Sequence, residues 1–394
     1  MNNNFRIGVF TSTRADFGIM SELLVQIEKN SDLQLHVFAT GTHLLDEFGA
    51  TIDEIESFSF TNVHAFPLGY GESKQNQTPA IAAQVLTGVS EFLIETKIQM
   101  FIILGDRYEA LSAAFAAQLN KVAIAHIHGG EITQGAMDDA FRHSISKMAT
   151  LHYPATERYR KRLLQMGERE DRVFNIGSLS LAQIKNMALM SKQDIESSLQ
   201  WTFKKRNILV TLHPETLSSQ PQSLLSNVFF EAISALNDVG IIITYPNTDE
   251  GYEDILAAIE LVEEKKDINV CVIPSLGLKR YFSCLQYVDL VVGNSSSGVI
   301  EAASFGVRAI DVGNRQLGRE RAKSVFNVGF DRDKISHLIN RLLSDSELNH
   351  AAYEIKNPYE CPGEVGVSTI ISTIRDYLSK PHSMHKTFVD RELK

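Results

Sequence analysis

The sequence predicts an α/β protein made of two doubly wound parallel sheets, and three observations predict it. Short β-rich runs alternate with helical stretches, the series breaks once at a polar stretch and starts again, and 394 residues suffice for two cores at roughly 150 residues per domain. Alternation of this kind reads as βαβ units, whose strands run parallel.

Taken in order, the first series is FRIGVFTST (5–13), LQLHVFAT (33–40), QMFIILGD (99–106), VAIAHIHGG (122–130) and RVFNIGS (172–178). Each is short, rich in Val, Ile, Leu or Phe, and bounded by turn residues, the pattern of a strand buried on both faces. From about Ser191 to Lys205 the chain is polar and poorly patterned, which marks a junction. The second series is NILVTLHP (207–214), GIIITYPN (240–247), NVCVIPS (269–275), DLVVGNSSS (289–297) and VRAIDVG (307–313). A last helical segment, about Val365 to Leu378, is expected to pack back across the junction. The expected division is therefore 1–190 and 191–364, with 365–394 as the returning segment. There is no repeat of fixed short period.

Composition narrows the function classes. With 22% charged and 44% hydrophobic residues the chain has the mix of a soluble globular protein. A formal charge of -10 argues against nucleic-acid and anionic-membrane partners, which need a basic face. No apolar stretch reaches the roughly 18 residues of a spanning helix, and the polar start Met1-Asn2-Asn3-Asn4 is unlike a signal peptide, so a cytoplasmic location is expected. Cys271, Cys284 and Cys361 are widely spaced and form no C-x-x-C, which indicates neither a disulfide framework nor structural zinc.

The densest chemistry is IAHIHGGEITQGAMDDAFRHSI, residues 124–145, where His126, His128, Glu131, Asp138, Asp139, Arg142 and His143 follow an apolar run. Ligands of doubly wound sheets bind beyond the carboxyl ends of the strands, which is where this stretch falls. An acid–base cluster is the favoured reading, because neighbouring carboxylates push one pKa up and keep a proton available near neutrality. Arg142 and His143 follow Asp138 and Asp139 by one helical turn, so i to i+4 pairing would fix the carboxylates. Two alternatives stand beside it. H-x-H with carboxylates is also a metal-ligand pattern, though one more at home on the first strand of a barrel, and a capped helix with surface ion pairs would be purely structural.

GNSSSGVIEAASFG, residues 293–306, follows a strand and opens an alanine-rich helix, so N–H groups and the hydroxyls of Ser295, Ser296 and Ser297 converge as a phosphate cradle. Glu301, about one turn inside, would accept hydrogen bonds from a ribose. An ordinary serine N-cap is the alternative. In the following GNRQLGRER, Arg315 and Arg319 would neutralise phosphate. TSTRADFG (11–18) closes the first strand without G-x-G-x-x-G, so no dinucleotide cofactor is expected; Arg14 would supply a cation there, and Asp16 reads equally well as a helix cap. LGDRYEA places Asp106 and Arg107 past a third strand, with a mutual ion pair as the structural alternative. His43 in ATGTHLLDEFG and His213 in VTLHPET occupy similar strand ends, Pro214 halting the latter strand.

Together RADFG, TGTHL, LGDR, HIHGGE, DDAFRHSISKM, LHP, GNSSSGVIEA and GNRQLGRE resemble the UDP-N-acetylglucosamine 2-epimerase family, closest to its hydrolysing branch in bacterial sialic-acid and legionaminic-acid pathways. The motifs run in family order from residue 14 to 321. The resemblance implies the GT-B fold, two Rossmann-like domains facing a central cleft. It implies loss of UDP by anti elimination to a 2-acetamido-glycal, then addition of water to give the free 2-epimer, with no cofactor and no metal. By motif, Arg14, Ser295, Ser296, Glu301 and Arg315 would hold UDP. Asp106, Glu131 and Asp138 would be the acid–base carboxylates, Arg107 a sugar or phosphate contact, Arg142 a further contact on the substrate side, His213 a donor to the leaving diphosphate, and His43 a group on the sugar side. His128 stands where non-hydrolysing and animal members carry glutamate, leaving Glu131 or His128 itself for that work, and Gly18 stands where many relatives have serine. The expected partners are the UDP-sugar, UDP and a second copy of the chain in a homodimer or homotetramer.

The first reading is hydrolysis of UDP-N-acetylglucosamine to N-acetylmannosamine and UDP. The same reaction on UDP-N,N'-diacetylbacillosamine is the nearest alternative. A GT-B glycosyltransferase would instead release no free sugar without an acceptor, and a nucleotide-sugar sensor would leave the carboxylates of the first half without a purpose.

Overall fold

The computed structural model describes residues 4–46, 51–69, 77–134, 137–247, 249–265, 267–344, 356–360, 366–380 and 386–391. Cys361, Val365 and the Met1–Asn3 start lie outside the described residues, as do Gly135 and Ala136 of the acid–base stretch and 47–49 of ATGTHLLDEFG.

In the first half the strands are β1 (Phe5–Thr11), β2 (Leu33–Ala39), β3 (Val63–Ala65), β4 (Met100–Leu104), β5 (Ala123–Ile127) and β6 (Leu151–Tyr153). In the second they are β7 (Asn207–Thr211), β8 (Gly240–Thr244), β9 (Asn269–Ile273), β10 (Leu290–Gly293), β11 (Arg308–Val312) and β12 (Val325–Val328). The first sheet has the order β3-β2-β1-β4-β5-β6 and the second β9-β8-β7-β10-β11-β12, so both follow the same path outward from a central strand and back. All pairings are parallel. Each sheet therefore has a switch point, between β1 and β4 and between β7 and β10, where the loops diverge to opposite faces and leave a crevice.

The strand residues sort by parity. Ile7 and Val9 of β1, with Met100, Ile102 and Leu104 of β4, face one apolar layer, while Phe10, Phe101 and Ile103 face the other. The second layer is closed by the helix Tyr108–Leu119, whose Ala110, Ala113, Ala114, Ala116 and Ala117 are buried. Small side chains let this helix lie close to the sheet. The first layer receives the C-terminal helix Gly366–Ser379, through Ile370, Ile374, Tyr377 and Leu378. Ile208, Val210, Ile241, Ile243, Val292 and Ile310 form the corresponding core of the second sheet.

The described residues divide into two compact units, one of 1–131, 138–185 and 359–394, the other of 132–137 and 186–358. The helix Lys192–Leu199, capped by Ser191, occupies part of the polar stretch. RVFNIGS is not a strand of the sheet. It runs beside β6, bonded from Phe174 N to His152 O and Ile176 N to Pro154 O, and joins it by a single bridge at Val173. Gly177, at φ +71°, turns the chain away. β3, β6 and β12 carry only three or four residues each, too few for a pattern to stand out in the sequence. No helix among the described residues is long and apolar enough to cross a membrane.

Candidate functional site

The first switch point is flanked by the start of the helix Arg14–Glu28, which follows β1, and by the loop after β4, carrying Asp106 and Arg107. Asp106 does not pair with Arg107. Its carboxylate is held tightly by Arg142 Nη2, while Arg107 turns to Glu109 at 3.3 Å. Arg142 projects from the helix Asp138–Met148 and is 1% exposed, against 22% for the Asp106 side chain. A guanidinium so deeply buried demands a carboxylate, and Asp106, at the mouth of the crevice, meets the need while keeping one edge towards water. Arg142 Nη1 also reaches Asp139 at 3.4 Å, and His143 Nε2 lies 3.6 Å from the same carboxylate. The helical pairing thus converges on Asp139. Asp138 is the first residue of that helix and is half-buried.

His126 has a structural task. Its Nε2 lies 2.8 Å from the Gly105 carbonyl oxygen, which can only accept, so Nε2 carries the proton and Nδ1 accepts from Ser146 Oγ at 3.0 Å. Burial pushes this imidazole down to about 3 despite the Gly105 contact, which keeps it neutral. With both nitrogens spent on protein partners it is unavailable to a metal, and among the described residues no group of three His, Cys, Asp or Glu is placed to hold one. His128 differs. It sits at φ +62°, rare for a residue with a side chain, and its N–H donates to Tyr153 O at 2.9 Å. Its Nδ1 is 4.0 Å from Oε1 of Glu131, whose side chain is 2% exposed. Gly130, at φ +79°, completes the bend, where a Cβ would collide with the Tyr159 carbonyl. Arg162 donates to the Gly130 carbonyl from the helix Glu157–Gln165. That pair of left-handed residues swings His128 and Glu131 off the line of β5.

The turn after β2, Gly41–Leu44, carries His43. His43 is fully buried, with Nε2 2.8 Å from Thr11 Oγ1 and Nδ1 2.8 Å from Thr51 Oγ1, and burial pushes it down to about 4. It clasps the end of β1 to the loop before the helix Ile52–Ser57, with both ring nitrogens engaged by threonine hydroxyls. Thr13, not Asp16, caps the helix Arg14–Glu28: its Oγ1 accepts from the Asp16 N–H at 3.2 Å, while Asp16 Oδ2 accepts from the Ser12 hydroxyl at 3.2 Å. Burial raises its carboxyl above the ordinary range against the pull of Arg107. Arg14 pairs with Glu54 at 2.8 Å and remains about a third exposed, its side chain 37% accessible. Gly18 is buried in the same helix.

The second unit repeats the plan. His213 follows β7 and Ser295 follows β10, on either side of the second switch point. Asn294, wholly buried, ties the two loops: Oδ1 accepts from His213 N at 2.6 Å and Nδ2 donates to His213 O at 2.9 Å. Gly293 permits the approach, since a Cβ at its φ of +137° would strike the Thr211 carbonyl. His213 Nδ1 accepts from Asn247 N–H at 3.0 Å, so the neutral ring carries its proton on Nε2 and presents a donor. Ser295 caps the short helix Ser296–Ile300, its hydroxyl accepting from Ser297 N at 3.4 Å. The alanine-rich helix expected to continue is broken at Glu301, where a 3₁₀ turn, Ala302–Phe305, takes over and ends at left-handed Gly306. Glu301 is buried at that joint, and its charge, with burial as the main cause, holds the nearby Tyr281 phenol above its ordinary range.

The loop carrying Arg315 is organised by Glu215, whose Oε1 accepts from Asn314 N at 2.6 Å and Arg315 N at 2.9 Å. Arg315 Nη1 reaches the Asn294 carbonyl at 3.4 Å and Gln316 Nε2 the same oxygen at 2.9 Å, so serine and arginine loops share one buried hub. Arg319 lies beyond, half-buried. Sequence reasoning overlooked Asn294, Glu215 and Gln316, though each adjoins a residue it singled out. A short polar residue flanked by Gly and Ser looks like part of the cradle until its amide is seen to bond backwards.

The UDP-N-acetylglucosamine 2-epimerase family matches residues 25–369. A Campylobacter jejuni protein described as GDP/UDP-N,N'-diacetylbacillosamine 2-epimerase (hydrolyzing) is 36% identical over 322 residues, covering 82% of this chain and 84% of that one. A UDP-N-acetylglucosamine 2-epimerase of Neisseria meningitidis serogroup B is 33% identical over 339 residues, covering 86% and 88%. Among solved structures, S. aureus MnaA with UDP has a TM-score of 0.77 at 18% identity, over 98% of this chain and all of that one, a likeness of GT-B fold.

Proposed function

The chain belongs to the UDP-N-acetylglucosamine 2-epimerase family, and from that premise we propose that it is a hydrolysing 2-epimerase converting UDP-N-acetylglucosamine to N-acetylmannosamine and UDP. The observation that carries the reading is Asp106, a carboxylate at the carboxyl end of β4 braced from behind by buried Arg142. The guanidinium fixes the orientation of this carboxylate and balances its charge, which leaves it placed to act on a proton of the sugar.

The chemistry then divides by unit. In the second, the hydroxyls of Ser295 and Ser296 with Arg315 hold the diphosphate, and Glu301 takes the ribose. His213 offers its Nε2 proton to the departing oxygen. In the first, a carboxylate removes the C2 proton as the C1–O bond breaks towards UDP, leaving a C1–C2 double bond. Because no carbonyl acidifies C2, bond breaking at C1 runs ahead, and the nearby carboxylates offset positive charge there. Water adds its oxygen to C1, and C2 takes a proton on the face opposite to the one it lost. Asp106, Glu131 and Asp138 supply these transfers, with Arg107 against the sugar or phosphate, Arg142 fixing Asp106, and His128 beside Glu131.

The Campylobacter likeness favours a second donor, UDP-N,N'-diacetylbacillosamine, for the same mechanism. Steady-state comparison of the two donors decides between them. The mechanism is tested in heavy water, where the free 2-epimer should carry one deuterium at C2. Product without deuterium there would sink the elimination route, and UDP release that waits for an acceptor sugar would make the protein a glycosyltransferase.

A further inference from the structure

Away from the crevice, the first unit contains a buried charge cluster that the proposed chemistry does not use. Glu168, 2% exposed, accepts from Lys147 Nζ at 2.7 Å and pairs with His152 Nε2 at 3.0 Å and Lys386 Nζ at 2.7 Å. Burial alone would raise this carboxyl, but the bonds from His152, Lys147 and Lys386 outweigh it and hold it down at about 2. Lys386 reaches the cluster from near the end of the chain. Its ammonium also lies 3.0, 2.9 and 2.7 Å from the carbonyl oxygens of Ser146, Lys147 and Ala149, at the end of the helix Asp138–Met148.

Carbonyls at a helix end are left short of partners and carry the negative end of its dipole; here Ser146 O also accepts from Ala149 N–H at 3.3 Å. A residue 240 positions away along the chain provides their cap. The following residues are fastened too. Val389 N–H donates to Gly167 O at 2.9 Å, Arg391 Nε to Leu164 O at 2.8 Å, and Lys147 Nζ stands 4.9 Å over the Phe388 ring. Segment 386–391 is thus a strap across the ends of two helices.

The capped turn connects to Asp106 by two routes. Ser146 bonds His126, whose Nε2–H bonds the carbonyl of Gly105, the residue before Asp106. One turn before Ser146 lies Arg142, the direct partner of Asp106. We propose that Lys386 is a positioning residue for the acid–base site, capping the 138–148 helix so that Arg142 and His126 hold Asp106 in place. The proposal rests on the reading of Asp106 as an acid–base carboxylate. Released from its cap, the helix end frays or slides, and displacements of an ångström at a reacting group cost about 100-fold in rate.

The test uses full-length Lys386→Met and the milder Phe388→Ala, which loosens the strap and leaves the ammonium. Lys386→Met should lower kcat about 10- to 100-fold, and Phe388→Ala should lower it less. KM and calorimetric UDP affinity should stay within about twofold, since uniform binding is untouched. Unchanged kcat in both variants overturns the proposal, as does a loss of kcat matched by an equal loss of UDP affinity, which would signal general unfolding. Hydrogen exchange gives an independent reading: amides of the 138–148 helix should exchange about tenfold faster in Lys386→Met, and unchanged exchange overturns the strap. If Lys386→Met does not fold, Phe388→Ala decides by the same two measurements. A parent chain that releases no UDP refutes the functional reading, while the exchange result still judges the strap by itself.

Discussion

Arg142→Met should destabilise the first unit by about 3 kcal/mol. Breaking a buried ion pair by removing one partner costs about 3–5 kcal/mol, because the remaining charge keeps its desolvation and loses its compensation. Here the remaining charge is Asp106, whose side chain is 22% exposed, so water takes up part of the load and the lower end applies. The Asp139 contact at 3.4 Å involves a carboxylate 31% exposed and adds under about 1 kcal/mol. Methionine fills most of the space of the arginine stem, which keeps the packing term small. The only tryptophan, Trp201, lies in the second unit, so its fluorescence does not follow the change. Hydrogen exchange does, on the amides of β1 and β4, the central pair of the first sheet, which open only with it. Asp106→Asn in the Arg142→Met background removes both charges and should recover about 1.5 kcal/mol. An Arg142→Met protein within about 1 kcal/mol of the parent, or single and double variants additive within about 0.5 kcal/mol, would refute the claim that this pair is a coupled, buried unit.

Three further outcomes are expected. Glu301→Ala should weaken UDP binding by about 1 to 3 kcal/mol, the cost of lost charged hydrogen bonds, and unchanged affinity by calorimetry would remove Glu301 from the ribose. Asp106→Asn should cut turnover by about 10² to 10⁴ with UDP affinity nearly unaltered; near-normal turnover would end its role as base. Acid should loosen the first unit in stages. His43 and His126, buried neutral at about 4 and 3 against an ordinary 6.5, bind fewer protons folded than unfolded, so their contribution is full above 6.5 and is lost as pH falls. Glu168, held at about 2 against an ordinary 4.5, contributes fully above 4.5 and loses its share as pH falls through that window, about 3 kcal/mol at about 1.4 kcal/mol per pH unit. Glu168→Gln should flatten the lower part of a stability profile measured from pH 7 down to about pH 2, and an unaltered slope below 4.5 would count against the cluster.

The long buried strands and their alternation with helices were legible in the sequence. These are consequences of local composition: a run such as MFIIL has no stable place except inside a sheet. The positions of Asp106, Glu131, His213 and Ser295 at strand ends were legible for the same reason. The partners of those residues were not. Asp106 stands beside Arg107 in the chain yet pairs with Arg142, because the helix Asp138–Met148 carries that guanidinium into the sheet's shadow, where only a carboxylate can compensate it. His126 and His128 look alike in H-x-H, but strand parity buries the first between Gly105 and Ser146 while a left-handed turn swings the second towards Glu131. Asn294 and Lys386 act on groups brought near only by folding, Lys386 across 240 positions. Local sequence determines which residues sit at the ends of strands, since hydrophobic periodicity is a short-range property. Which charges and imidazoles compensate one another is decided by tertiary structure, because desolvation makes a buried polar group depend on whichever partner the fold brings within 3 Å or so.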